Sequence, residues 1–440
     1  MASLPCPYRD APFAILASGA ATPAPGMIAP FALMLLAIAL MPFIHKHWWE
    51  AHYPKIAAAL GAITVGYYVF ALHDAARMLH VAHEYVSFLA LIGSLYVVSG
   101  GIHISGKSEA RPWFNCLWLI FGAVLANLVG TTGASMLLIR PWMRMNQSRL
   151  APFHIVFFIF IISNVGGCLT PIGDPPLFLG YLRGVPFSWT MKNCWPAWLI
   201  AISFLVAVFY FFDTKSFRAS PQTAAPNPTP EPWRFDGLRN LAFLAVILAA
   251  VFVKQPPGLS EALMIAAAIA SYLTTPARIH QANAFNFAPV REVAWLFAGI
   301  FATMVPALDY LEAHASSLGL NSPAKFFWST GALSAGLDNA PTYLAFLAAA
   351  MGNQQLSLTS SSDVARFVAS HSRELLAVSL GAVFFGATTY IGNGPNFMVK
   401  SIAENSKVQM PSFFAYLLKF ALPILVPLFL LISLLFFSSH

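Results

Sequence analysis

The chain predicts an all-α polytopic membrane protein built from two inverted-topology repeats of five spans, each with a re-entrant helical hairpin and a broken helix. Three observations carry this. Of 440 residues, 58% are hydrophobic and 9% charged, against about a quarter charged in soluble domains. Apolar runs long enough to cross about 30 Å of hydrocarbon recur along the chain. Inside two of them, one glycine- and proline-rich phrase occurs twice at a constant spacing: GCLTPIGDPPL from Gly167 and GATTYIGNGPN from Gly386.

Residues 1–26 read as a lead-in. Ala11 to Ala21 is weakly apolar and ends in small residues and prolines, a pattern a poor signal peptide shares. The first repeat covers 27–212, with crossings at 27–44, 54–73, 82–104, 151–180 and 195–212. The second covers 238–437, with crossings at 238–253, 259–275, 290–311, 373–405 and 411–437. In each repeat one further apolar stretch, 113–139 or 324–350, is too long for one span and polar at its middle. It reads as a hairpin entering and leaving on one side. Between the repeats, 213–237 contains PQTAAPNPTPEP and reads as a Pro-rich cytoplasmic linker.

Placing loops on alternate sides puts most of the 24 Lys and Arg residues on one face. That face should be cytoplasmic, which sets both termini outside. Five crossings per repeat then invert the second repeat relative to the first. The net charge of +7 belongs to loops near anionic lipid and gives no sign of a nucleic-acid partner. Cys6, Cys116, Cys168 and Cys194 show no CxxC spacing, so neither a disulfide framework nor a zinc site is indicated. With no phosphate-binding glycine loop, nucleophile elbow or HExxH, nothing points to ATP-driven transport, an enzyme or a cofactor.

The broken helices, 151–180 and 373–405, hold the candidate chemistry. Prolines remove amide donors and glycines weaken the helix, leaving backbone groups without helical partners at membrane depth. Such backbone is tolerated only against protein, water or an ion. Asp174 lies within the first break, where an ionisable residue costs about 2.5 to 3.5 kcal/mol and is functional by default. Aligning the two phrases matches Gly167 with Gly386, Thr170 with Thr389, Ile172 with Ile391, Gly173 with Gly392 and Pro176 with Pro395, and sets Asp174 on Asn393. Paired interruptions in two halves are the best sequence pointer to a secondary transporter's site.

The hairpin tips read NLVGTTGAS from Asn127 and SAGLDNAPT from Ser334. Their hydroxyl and amide oxygens suit a hard cation, and Asp338 falls opposite Val129. If each tip meets the break of its own half, each site receives one acid: Thr131 and Thr132 with Asp174, and Asp338 and Asn339 with Asn393 and Asn396. Other polar residues read as structural. Thr131, Ser135 and Thr388 taken singly are equally close-packing residues, Asn164 reads as a helix cap, and Glu84 and Glu292 as solvated caps at span starts. Asp309 and His73, His80 and His83 read as interfacial.

On these residues the chain resembles the ion transporter superfamily, which includes NhaD-type sodium/proton antiporters, arsenite permeases, citrate-metal symporters and divalent anion/sodium symporters. NVGGCLTPIGDPP looks like the NhaD-type broken-helix pattern, and LSAGLDNAPT is similar to that family's hairpin signature. The resemblance covers about residues 80–200 and 290–410. It implies sites between hairpin tips and broken helices, a homodimer, and ion-site residues at Thr131, Thr132, Thr170, Asp174, Asp338, Asn339, Thr342 and Asn396, with Asn393 beside them. The neutral GTTGAS tip departs from the antiporters and is nearer to the carboxylate symporters. A carboxylate beside an anionic substrate would repel it, so Asp174 and Asp338 favour a cation. The expectation is therefore sodium/proton antiport by alternating access, in a bacterial-type inner membrane, with sodium and protons transported. The alternative is a cation-coupled transporter of citrate or a dicarboxylate, carried as a metal complex in one version. Intramembrane hydrolysis by Asp174 and Asp338 is disfavoured, because such a pair belongs on two neighbouring helices.

Overall fold

The computed structural model describes residues 23–106, 111–219, 233–253 and 255–438. Most of the lead-in, and residues 220–232 of the Pro-rich segment, lie outside the described residues. Helices dominate, in the order α1 (Ala29–Ile44), α2 (Lys46–Gly66), α3 (Ala75–Gly100), α4 (Pro112–Met145), α5 (Pro152–Ile161), α6 (Pro175–Leu182) and α7 (Phe187–Ala219). The second half continues with α8 (Asn240–Ala250), α9 (Leu259–Thr274), α10 (Ala277–Ala282), α11 (Ala288–Ala313), α12 (Pro323–Gly336) and α13 (Asn339–Gly352). It ends with α14 (Ser361–Ser370), α15 (Ser372–Phe385), α16 (Gly394–Asn405) and α17 (Phe413–Phe436). Among the described residues eight helical segments are long and apolar enough to cross a membrane, while α8 and α9 are apolar but shorter. The protein is thus an integral, multi-pass, helical membrane protein.

Local chemistry sets many of the boundaries. Pro112, Pro152, Pro175 and Pro323 stand in the first turns of their helices, where a missing amide costs nothing. Asp74, Ser322, Asp338 and Ser360 accept backbone amides at the starts of α3, α12, α13 and α14. The polar stretch before the second broken helix thereby forms α14, which hydrophobic run length alone does not reveal.

α4 is interrupted at Gly130, whose φ of 77° and ψ of 156° are non-helical. The chain folds back there. Asn115 donates to Asn146 at 2.8 Å, although 31 residues of straight helix would separate them by about 46 Å. Leu138 comes within 3.0 Å of where a Cβ on Gly122 would stand. The second arm runs on to Met145, past the expected limit of 139. In the other half, α12 and α13 pack against each other across Leu337 and Asp338.

Two groups of helices result. α1 packs on α2, α2 on α11, and α3 and α8 on α9; α4 packs on α7, α6 on α13, and α12 on α15. The groups meet where α3 touches α4 and α11 touches α13. The segment read as a linker from 213 starts later than expected, because α7 continues to Ala219 with Asp213 buried in it. Its far end, Arg234–Asp236, forms β2 and pairs antiparallel with β1 (His103–Ser105), Ile104 opposite Phe235.

Candidate functional site

The repeated phrase folds the same way twice. After α5, a 3-10 turn at Val165–Leu169 gives way to extended backbone at Thr170 (φ −131°, ψ 153°) and Asp174 (φ −142°, ψ 142°). After α15, a 3-10 turn at Gly386–Thr388 leads to Thr389 (φ −135°, ψ 168°) and Asn393 (φ −155°, ψ 139°). Thr170 accepts from the Gly173 amide at 3.1 Å and donates to the Asn127 carbonyl at 2.6 Å. Thr389 does the same with Gly392 at 3.1 Å and the Ala335 carbonyl at 2.7 Å. In each break the paired glycines abut. A Cβ on Gly173 would stand 2.0 Å from the Gly167 carbonyl oxygen, and one on Gly392 2.7 Å from that of Gly386. This is why glycine occupies these positions in both halves.

The side chains do not form two separate sites. They converge on Asp174, whose side chain is almost fully buried. Oδ1 accepts from Thr131 Oγ1 at 2.8 Å and from Asn393 Nδ2 at 2.9 Å. Oδ2 accepts from Asn339 Nδ2 at 2.8 Å. One carboxylate thus takes donors from the first hairpin, the second hairpin and the second break. Thr131 meets the acid of its own half as expected, whereas Asn339 and Asn393 cross to the other. The pairing of Asp338 and Asn339 with Asn393 and Asn396 is not observed.

Asp338 instead caps its own helix, accepting from the Ala340 amide at 3.0 Å. Thr342 Oγ1 donates to the Asp338 carbonyl at 2.9 Å, so both serve the start of α13. Asn396 braces the second break, donating to the carbonyls of Gly386 (2.8 Å) and Thr389 (2.9 Å). Thr132 is half-buried and, with Thr131, Ile172, Gly173 and Asp174, lines a pocket of about 20 Å³, room for one water or small cation. No basic side chain lines it.

Three features were misread or missed in the sequence. Asn164 makes no cap bond; its Nδ2 donates to the Ile159 carbonyl at 2.8 Å and across the seam to Asn396 Oδ1 at 2.7 Å. Glu84 is not a solvated cap but is buried against Arg183, Oε2 to Nη2 2.8 Å. Asp213 lies at the foot of the first hairpin, bonded to Arg149, to His154 Nε2 at 3.0 Å and to Asn115 Nδ2 at 2.8 Å. Only the first had a legible signal: an amide next to the broken phrase.

A buried acid held between unwound segments within apolar spans is the candidate site of this membrane protein. The family model CitMHS_2, described as "Putative citrate transport", matches residues 21–437, and the chain belongs to that family. This is consistent with the superfamily resemblance and favours the citrate alternative over sodium/proton antiport. No curated protein matches the chain.

Proposed function

We propose that the protein carries citrate across the membrane by cation-coupled secondary transport, with Asp174 at the centre of the coupling and substrate site. Two supports combine: the family match and the convergence of Thr131, Asn339 and Asn393 on one buried carboxylate. In this reading the two halves are inverted repeats, 112–145 and 323–352 are re-entrant hairpins, and the richer basic face is cytoplasmic. Sodium or protons supply the driving force, and the working unit is a homodimer.

Charge decides the form of the substrate. The pocket beside Asp174 offers hydroxyls and backbone but no cationic side chain. Two like charges about 4 Å apart repel by about 4 kcal/mol even at an effective dielectric of 20. Citrate therefore enters with its charge reduced by a bound metal or a co-transported cation. The acid itself favours a second reading, sodium/proton antiport, in which Asp174 exchanges the two cations without citrate.

Labelled citrate uptake into proteoliposomes tests the first reading, with imposed sodium or proton gradients and with or without a divalent metal. Gradient-driven accumulation supports it. Its absence in every condition, together with sodium-driven movement of protons, would replace it by the second.

A further inference from the structure

Resting on the citrate reading, we propose that Arg140 binds a carboxylate of the substrate, a small polycarboxylate of the citrate kind, in the seam between α3 and the second arm of the first hairpin. The starting observation is a guanidinium without an anion. Arg140 Nη1 is buried and has no hydrogen-bond partner among the described residues. The titratable groups near enough to act on Arg140 are Tyr96 and Arg144, neither of them a carboxylate. Buried arginines elsewhere are matched, Arg149 with Asp213 and Arg183 with Glu84. A buried charge left without a partner is costly. The planar fork of an arginine fits a carboxylate through two parallel N–H bonds.

Its place on the fold ties Arg140 to the pocket beside Asp174. Beyond the interruption at Gly130, α4 is helical to Met145. Gly133 lines that pocket and lies against α3, where a Cβ on it would stand 2.7 Å from Ser99 Oγ. Further along the same arm, Arg144 donates to the Ile104 carbonyl, just past the end of α3, at 2.7 Å. Arg140 comes two turns after Gly133 and one turn before Arg144, so the three share one helix face and Arg140 stands on the α3 side between them. The step from Gly133 is about 10 Å. Tyr96, on which the Arg140 charge acts, is itself a wall of the pocket. Ser99 adds a second donor, because its Oγ is buried and has no hydrogen-bond partner among the described residues. An anion held only beside Asp174 would meet like charge, and no basic side chain lines that pocket. Arg140 supplies the positive charge further along the same seam, with the Ser99 hydroxyl between.

Citrate binding to the purified full-length protein in phosphatidylcholine nanodiscs tests the site. It is read as saturable thermal stabilisation, with sodium chloride at matched ionic strength as the control. Wild-type protein should saturate, and Arg140→Gln should raise the half-saturating citrate concentration about tenfold or more. Arg140→Lys should raise it by a smaller factor, since the charge stays and the fork is lost. Should the glutamine variant not fold, the lysine variant alone carries the test. No saturable citrate effect on the wild type overturns the proposal, as does a half-saturating concentration that neither substitution moves. Stabilisation by phosphatidylglycerol but not by citrate also overturns it, making Arg140 a partner of lipid headgroups. Citrate counterflow measured in parallel separates this proposal from the transport reading. Binding that depends on Arg140 without counterflow removes the transport reading and leaves the site. Counterflow whose half-saturation is unchanged in Arg140→Gln removes the site and leaves the transport reading.

Discussion

Replacing Asp174 by Asn and by Ala should have very different consequences for folding and the same consequence for coupling. Both variants remove the cost of burying a carboxylate, so the difference between them reports on the hydrogen bonds together with the small cavity that Ala leaves. In Asp174→Asn, the retained oxygen can stay opposite Thr131 Oγ1 and Asn393 Nδ2. The new amide then faces Asn339, whose unused Oδ1 can turn to accept it. The number of bonds to residue 174 is preserved, with Asn339 changed from donor to acceptor. In Asp174→Ala, Asn393 keeps its bond to the Ser163 carbonyl at 3.1 Å, while Thr131 Oγ1 and Asn339 Nδ2 lose their acceptor in the dry interior. Two orphaned donors at about 1–3 kcal/mol each make Ala less stable than Asn by about 2–6 kcal/mol. Thermal unfolding in detergent at a matched scan rate should therefore rank Asn well above Ala. Both should lose cation-driven citrate uptake. An alanine variant as stable as the asparagine one would show that these bonds contribute nothing, and normal uptake by Asp174→Asn at every pH would refute the assignment of the residue.

The glycine contacts predict that Gly173→Ala abolishes folded expression, because the added carbon meets backbone 2.0 Å away; Gly336→Ala, with open space around it, should express normally and serve as the control. Asp213→Ala should remove the buried carboxylate that Arg149, His154 and Asn115 share and lower stability by about 3–5 kcal/mol, read as a fall in unfolding temperature, while Asp213→Asn should lose less because the Asn115 contact can be remade. Glu84→Gln likewise leaves Arg183 buried without a counter-charge, and a large drop in unfolding temperature is expected, partly rescued by pairing it with Arg183→Met.

Much of the site was legible because the same physical demand is written twice. Unwound backbone at membrane depth requires glycines, prolines and hydroxyls at set spacings, so the two phrases could be aligned and their shared geometry expected. Thr131 with Asp174 followed from that symmetry. The crossing of Asn339 and Asn393 to Asp174 did not, because each half read alone shows only its own hairpin and break. Asn393 bonding the residue it aligns with means that the two phrases meet at their equivalent positions, a relation between the halves and not within one. Glu84 and Asp213 escaped for another reason. Each stands near a span end, where a solvated charge is the ordinary outcome, and its buried partner, Arg183 or Arg149, is distant in sequence. The small strand pair of Ile104 with Phe235 joins segments too short for any periodic signal.

Exchange of labelled citrate across proteoliposomes preloaded with unlabelled citrate tests the central claim most directly, since counterflow requires a carrier site alternately open to both sides. Wild-type protein should accumulate label transiently with sodium, protons or a divalent metal present, and the Thr131→Val and Asn339→Ala variants should accumulate far less. Absence of exchange by the wild type under all of these conditions would contradict the account.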